Sequence, residues 1–201
     1  MTLSAQQAGL RLFKKYNPGK LYKRPVFSRQ YDKHYRIATF PFYDKNDIKL
    51  IRQWLRATVL QKENINNMFI RMADLNSRHQ ASCCQALMGF FNLKPSFLLD
   101  IQHLDLIRGG SCSLTKKFTV VMQLCFTPGK EKEERQLKVI IKACLKYLFR
   151  FEKVEKVIWT IYKKNHFLCN LAITSGFRLS KIKVVKRFNS FVVERKLFLK
   201  R

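Results

Sequence analysis

Apolar residues recur along this chain in two rhythms, and each predicts a different element. Leu137, Ile140, Ile141, Cys144, Leu145 and Leu148 fall three and four residues apart and mark one continuous helical face. Glu131, Glu133 and Glu134 crowd the start of that helix, where negative charge suits the dipole. Glu131–Arg135 and Glu134–Lys138 add i,i+4 pairs, so a helix is expected over residues 131–149. On either side lie apolar runs of strand length, residues 116–127 and 154–162, the first broken by Pro128-Gly129. A short helix over residues 166–175 follows, with Phe167, Leu168, Leu171 and Ala172 on one face. Asn165 stands at its N-cap and Gly176-Phe177 at its close.

The same reading carries through the rest of the chain. Residues 36–43 form a strand with a late proline, which points to an edge. Asn46 or Asp47 caps a helix carrying Ile48, Ile51, Leu55 and Val59, and a second helix follows over residues 63–76. Residues 80–92 and 95–104 read as two strands with a turn between them, and residues 105–115 as a loop. Residues 177–185 and 189–198 read as the last two strands. Two domain-level segments result: an irregular basic arm over residues 1–35, broken by Pro18-Gly19 and Pro25, and a single α/β domain over residues 36–201. The element order is β-α-α-β-β-β-α-β-α-β-β, a mixed sheet of about seven strands flanked by about four helices.

Composition narrows the class. With 47% hydrophobic residues and 17 Phe, the chain carries enough apolar material for a core and is not a disordered segment. No apolar run is long enough to span a membrane, and the N-terminus lacks the pattern of a secretory signal. The 6 cysteines include no C-x-x-C pair and mostly sit in apolar runs, which suits reduced, buried residues of a cytoplasmic protein. No metal site is expected, because His34, His79, His103 and His166 are scattered without ligand spacing. The net charge of +27 changes the picture most. Residues 11–36 and 178–201 each hold nine Lys or Arg against one acid. Such charge favours an anionic partner: a polyphosphate cofactor, nucleic acid or an acidic protein surface. No recognisable nucleic-acid-binding module accompanies it.

The Asn165…Gly176-Phe177 frame between two strands, together with the element order, resembles the GCN5-related N-acetyltransferase (GNAT) superfamily over residues 36–198. Thr127-Pro128-Gly129, Tyr147-Leu148-Phe149 and Trp54 further resemble the subgroup that acts in siderophore biosynthesis. The resemblance implies an acyl-CoA-dependent N-acyltransferase, with acetyl-CoA as co-substrate and a small-molecule or peptide amine as acceptor. It implies that the pantetheine arm lies between two splayed strands and that the pyrophosphate rests at the following helix N-terminus. Cofactor contacts would then come from the strand end at Cys125, Phe126 and Thr127. The loop residues Gly129, Lys130, Lys132 and Arg135, and Asn165, complete the set. Two departures stand out. The family's later loop glycines are replaced by Glu133 and a charged neighbour, and its frequent tyrosine acid corresponds to Ala172.

Three residues remain for catalysis. Asp100 is an acid in the middle of an apolar strand, which makes it the expected general base. His103 is a second proton acceptor, and Gln123 interrupts the apolar run 120–126 where a substrate would lie. The competing expectation is a GNAT-like fold without acyl transfer, whose basic surface binds an acidic partner or nucleic acid.

Overall fold

The computed structural model describes residues 27–31, 35–41, 84–92, 94–110, 116–127, 134–182, 184 and 186–200. The helices expected over residues 46–76, with Trp54, and the loop residues Gly129, Lys130 and Lys132 lie outside these. The described residues form one eight-stranded sheet. Its strands are β1 (Phe27–Tyr31), β2 (Tyr35–Pro41), β3 (Cys84–Phe91), β4 (Lys94–His103), β5 (Phe118–Phe126), β6 (Val154–Tyr162), β7 (Arg178–Leu179) and β8 (Phe188–Glu194). Four helices accompany them: α1 (Leu104–Ile107), α2 (Glu134–Phe149), α3 (His166–Thr174) and α4 (Arg195–Leu199). The spatial order is β1-β2-β3-β4-β5-β6-β8-β7. Neighbours are antiparallel except β5 and β6, which α2 joins as a parallel crossover.

The long apolar helix forms as its periodicity requires. Leu137, Ile140, Ile141, Cys144, Leu145 and Leu148 are all buried against the sheet, with Ala143, Tyr147 and Phe149 beside them. Burial pushes the Cys144 thiol far above its ordinary pKa. Glu134 at the first turn pairs with Lys138 at 2.6 Å, which holds its carboxyl below the ordinary carboxylate range. At the other end the Arg195 guanidinium donates to the Phe149 and Phe151 carbonyls and lies over the Phe149 ring. It thereby caps the C-terminal carbonyls of α2.

α3 ends in a Schellman motif. Gly176 takes a left-handed φ of 95°, its N–H donates to Ile173 O, and the Phe177 N–H donates to Ala172 O. The turn drops Phe177 onto Trp159, ring centroids 5.7 Å apart. At Gly89, a Cβ would overlap the ring of fully buried Phe97, so the glycine makes room for that side chain at a bulge in β3.

Several expected boundaries move. Residues 27–31 of the expected irregular arm pair with β2 as an edge strand. Of the strand expected over residues 177–185, the described residues keep only Arg178–Leu179, and residues 195–199 at the end of the last expected strand coil into α4. Leu104–Ile107 forms a single helical turn within the expected loop. On α3, Leu168, Leu171 and Ala172 are buried as expected, but Phe167 is 55% exposed. The fourth residue of the helix that packs on the core is Cys169, not Phe167.

Candidate active site

β5 is the pivot of the site. Toward β4 its ladder runs unbroken from Phe97↔Phe126 to His103↔Val120. Toward β6 the parallel ladder stops at Met122↔Trp159, although β5 continues to Phe126 and β6 to Tyr162. The strands therefore part after Met122. The Thr127 N–H donates to Ser96 O at 3.0 Å, so it faces β4. By ladder alternation, Leu124 and Phe126 turn their backbone N–H and C=O toward the gap. Phe126 O also accepts from the buried Cys125 thiol at 3.7 Å. Such an edge can add an extended ligand as another strand.

Alternation of side chains divides the expected catalytic residues between the two faces of the sheet. Leu99, Ile101, Val120, Met122 and Trp159 join the core under α2. Asp100, Gln102 and Gln123 occupy the opposite face. Asp100 is 2% exposed and stands directly opposite Gln123 in the β4–β5 register. Gln102 Nε2 donates to Asp100 Oδ2 at 2.7 Å, a buried hydrogen bond to the carboxylate. His103 points the other way, to the α2 side, where it stacks on Phe118 with centroids 4.9 Å apart. Its Nδ1 accepts the Asp105 backbone N–H at 3.2 Å. The structure thus brings Asp100 and Gln123 together and separates His103 from them by the thickness of the sheet.

The expected cofactor residues divide as well. Cys125, Phe126 and Thr127 border the gap, and Arg135 is exposed in the first turn of α2. Asn165 is nearly buried and its Oδ1 accepts the Leu168 N–H at 3.0 Å, an N-cap on α3. Sequence reasoning passed over Gln102, Thr160 and Ser190. Each is a polar residue inside a strand, the signal that singled out Asp100. No group of three or more metal-ligating side chains occurs among the described residues.

A second feature lies on the outer side of α2. Lys138, Lys142, Lys146 and Arg150 follow at four-residue intervals and, with Arg29, line a cavity of about 580 Å³ floored by Leu145, Phe149 and Phe198. Burial, then the nearby Arg29 and Lys142 charges, hold the Lys146 ammonium below its ordinary pKa. This cavity does not reach Asp100 or the gap.

The fold has clear structural parallels. A spermidine N-acetyltransferase chimera from Vibrio cholerae and hSSAT superposes with a TM-score of 0.60 at 12% identity, covering 82% of this chain and 99% of that one. The Campylobacter jejuni N-acetyltransferase PseH in complex with acetyl coenzyme A superposes with a TM-score of 0.52 at 15% identity, covering 80% and 98%. The chain has the GNAT fold. An uncharacterised protein from Bacillus halodurans shares it as well, with a TM-score of 0.67 at 13% identity over 88% of this chain and 95% of that one. No family model and no curated protein matches the sequence. No helix among the described residues is long and apolar enough to cross a membrane.

Proposed function

We propose that the protein is an acyl-CoA-dependent N-acyltransferase, with acetyl-CoA as co-substrate and a small-molecule or peptide amine as acceptor. One observation carries this reading: the β5–β6 ladder stops at Met122↔Trp159, beside buried Asp100 and its register partner Gln123. The names of the two N-acetyltransferases that share the fold support the choice of an amine. The fit of the cofactor rests on the open backbone edge at Leu124 and Phe126. Cys125, Phe126 and Thr127 would flank the pantetheine arm. Gly129, Lys130, Lys132 and Arg135 would offset the charge of its phosphates. Asn165 contributes by holding the start of α3.

Bound acetyl-CoA supplies the activated thioester. In the transfer a C–N bond would form to the acceptor nitrogen, the thioester C–S bond would break with coenzyme A leaving as its thiolate, and the amine would give up a proton. Asp100 is the group we assign to take that proton. Gln102 orients its carboxylate through the 2.7 Å hydrogen bond, and Gln123 positions the acceptor from the next strand. His103 is proposed only as a reserve acceptor, because it stands on the far face. The Thr127-Pro128-Gly129 and Tyr147-Leu148-Phe149 segments favour the siderophore-type subgroup. Cys125 and Cys144, both buried as thiols, suit a cytoplasmic, reducing setting. Calorimetric titration with acetyl-CoA, followed by a transfer assay over a panel of amines, tests the proposal. Absence of both binding and turnover overturns it.

The cation row on α2 favours a second reading, an anionic partner such as nucleic acid or an acidic protein surface. Like charges four residues apart on a helix repel, and burial together with the Arg29 and Lys142 charges lowers the Lys146 pKa. Binding of a nucleic-acid duplex should weaken steeply with salt through counterion release. A salt-independent interaction, or none at low salt, discards this reading.

A further inference from the structure

We infer that the acceptor is an elongated amine carrying a hydroxyl group at its far end, held by a polar row that crosses the sheet through Asp100, Gln123, Thr160 and Ser190. The identity of the molecule as an acceptor rests on the acyltransferase reading above; the row itself does not. Asp100 faces Gln123 across β4–β5, and Thr160 faces Ser190 across β6–β8. Val121 pairs with Ile158 and Met122 with Trp159, so Gln123 and Thr160 are the next positions on either side of the gap. Ile158, Val192 and Val121 cluster on the face opposite α2, and alternation puts Gln123, Thr160 and Ser190 on that same face.

Thr160 and Ser190 are 1% and 3% exposed, and neither hydroxyl has a hydrogen-bond partner. Buried hydroxyls almost always have one. Below them in the register lie Ile158 and Val192, and above them Tyr162 and Phe188, whose rings meet at 5.9 Å. Valine and alanine would fill these two places equally well as packing. Two polar side chains, paired across a ladder beside the point where β5 and β6 part and given no hydrogen-bond partner, mark where a ligand's polar group belongs.

The chemistry of that group follows from its surroundings. Asp100 is the one buried carboxylate among the described residues, and it lies on the β4 side of the gap. A second ammonium beside Thr160 and Ser190 would enter an apolar and aromatic layer with no counter-charge among the described residues. A hydroxyl is neutral there and both donates to and accepts from the two side chains. With strands about 4.8 Å apart, Asp100 and Thr160 are about 10 Å from each other, and the gap adds to this. The acceptor therefore spans about that distance between nitrogen and hydroxyl.

The test compares 8-amino-1-octanol with octylamine, which differ only in the distal hydroxyl. The wild type should prefer the amino alcohol by about tenfold in kcat/KM, the worth of two hydrogen bonds. Thr160→Val with Ser190→Ala should abolish that preference while leaving Tm unchanged or raised, since each substitution removes a buried hydroxyl that the protein does not satisfy. Thr160→Ser should keep the preference. Equal use of the two amines by the wild type overturns the inference. So does a double variant that retains the preference, or one that loses Tm with the preference intact, which would mark the hydroxyls as structural. If no amine is turned over, the acyltransferase reading fails by itself and thermal shift decides the site. A Tm increase with the amino alcohol but not octylamine, lost in the double variant, supports the row; no increase in the wild type overturns it.

Discussion

The two faces of the same central strands are built on different terms. Toward α2, Leu99, Ile101, Val120, Met122, Trp159 and Phe191 form a continuous apolar core. One residue along on each strand, the opposite face carries Asp100, Gln102, Gln123, Thr160 and Ser190, four of them buried. An ordinary half-solvated sheet puts polar residues on the wet side. Here the polar residues are kept out of water, where they cost stability unless they are partnered. The comparison teaches that one face was selected for packing and the other for what it holds. Substitutions should therefore lose stability on the first and function on the second.

The largest effect is expected from Asp100→Asn on the polar face. Turnover should fall by roughly 10²–10⁴-fold with acetyl-CoA affinity nearly unchanged, because a general base contributes about that much. Steady-state kinetics alongside calorimetry check both halves, and retained activity would move the role to His103 or solvent. The mirror experiment is Trp159→Ala on the core face, fully buried against Phe177. It should cost about 3–5 kcal/mol in denaturant unfolding. If Asp100→Asn proved the more destabilising of the two, the division between faces would collapse.

Smaller changes sharpen the contrast. Gly89→Ala should destabilise by about 1–3 kcal/mol, because its Cβ displaces the buried Phe97 ring in an already full core. Little change in Tm would show that this edge of the core yields. Asn165→Ala removes the cap on the Leu168 N–H. It should cost about 1 kcal/mol, while Asn165→Asp should restore most of the loss. Should Asn165→Ala instead weaken acetyl-CoA binding with Tm unchanged, Asn165 would be a cofactor contact first and a cap second.

How much was legible in the sequence depended on the range of the forces involved. The α2 face, the strands on either side of it and the Asn165…Gly176 frame of α3 rest on periodicity and capping, which are local, and they form where expected. The last expected strand was drawn too long, because residues 195–199 read Arg-Lys-Leu-Phe-Leu, two basic groups and then three apolar ones, which suits a strand end or a helix turn equally. There Arg195 reaching the Phe149 and Phe151 carbonyls anchors the start of the helix, a contact with residues more than forty positions away. The first edge strand was hidden for a similar reason. Phe27–Tyr31 is too polar to announce a strand and gains its conformation by pairing with β2.

By itself, then, the sequence determined the local elements, the lone acid in an apolar strand and the excess of positive charge. Only the tertiary structure decided which of the candidate residues share a site. A strand's alternation assigns Asp100 and His103 to opposite faces, but which face meets α2, and which strand lies across the gap, is set by registers between segments far apart in the chain. Those registers bring Gln123 to Asp100 and Ser190 to Thr160, and they end the β5–β6 ladder at Met122↔Trp159. The physical reason is that hydrogen-bond ladders and core packing are cooperative over the whole sheet, so the site exists only where the polar residues of separate strands are brought into line on one face.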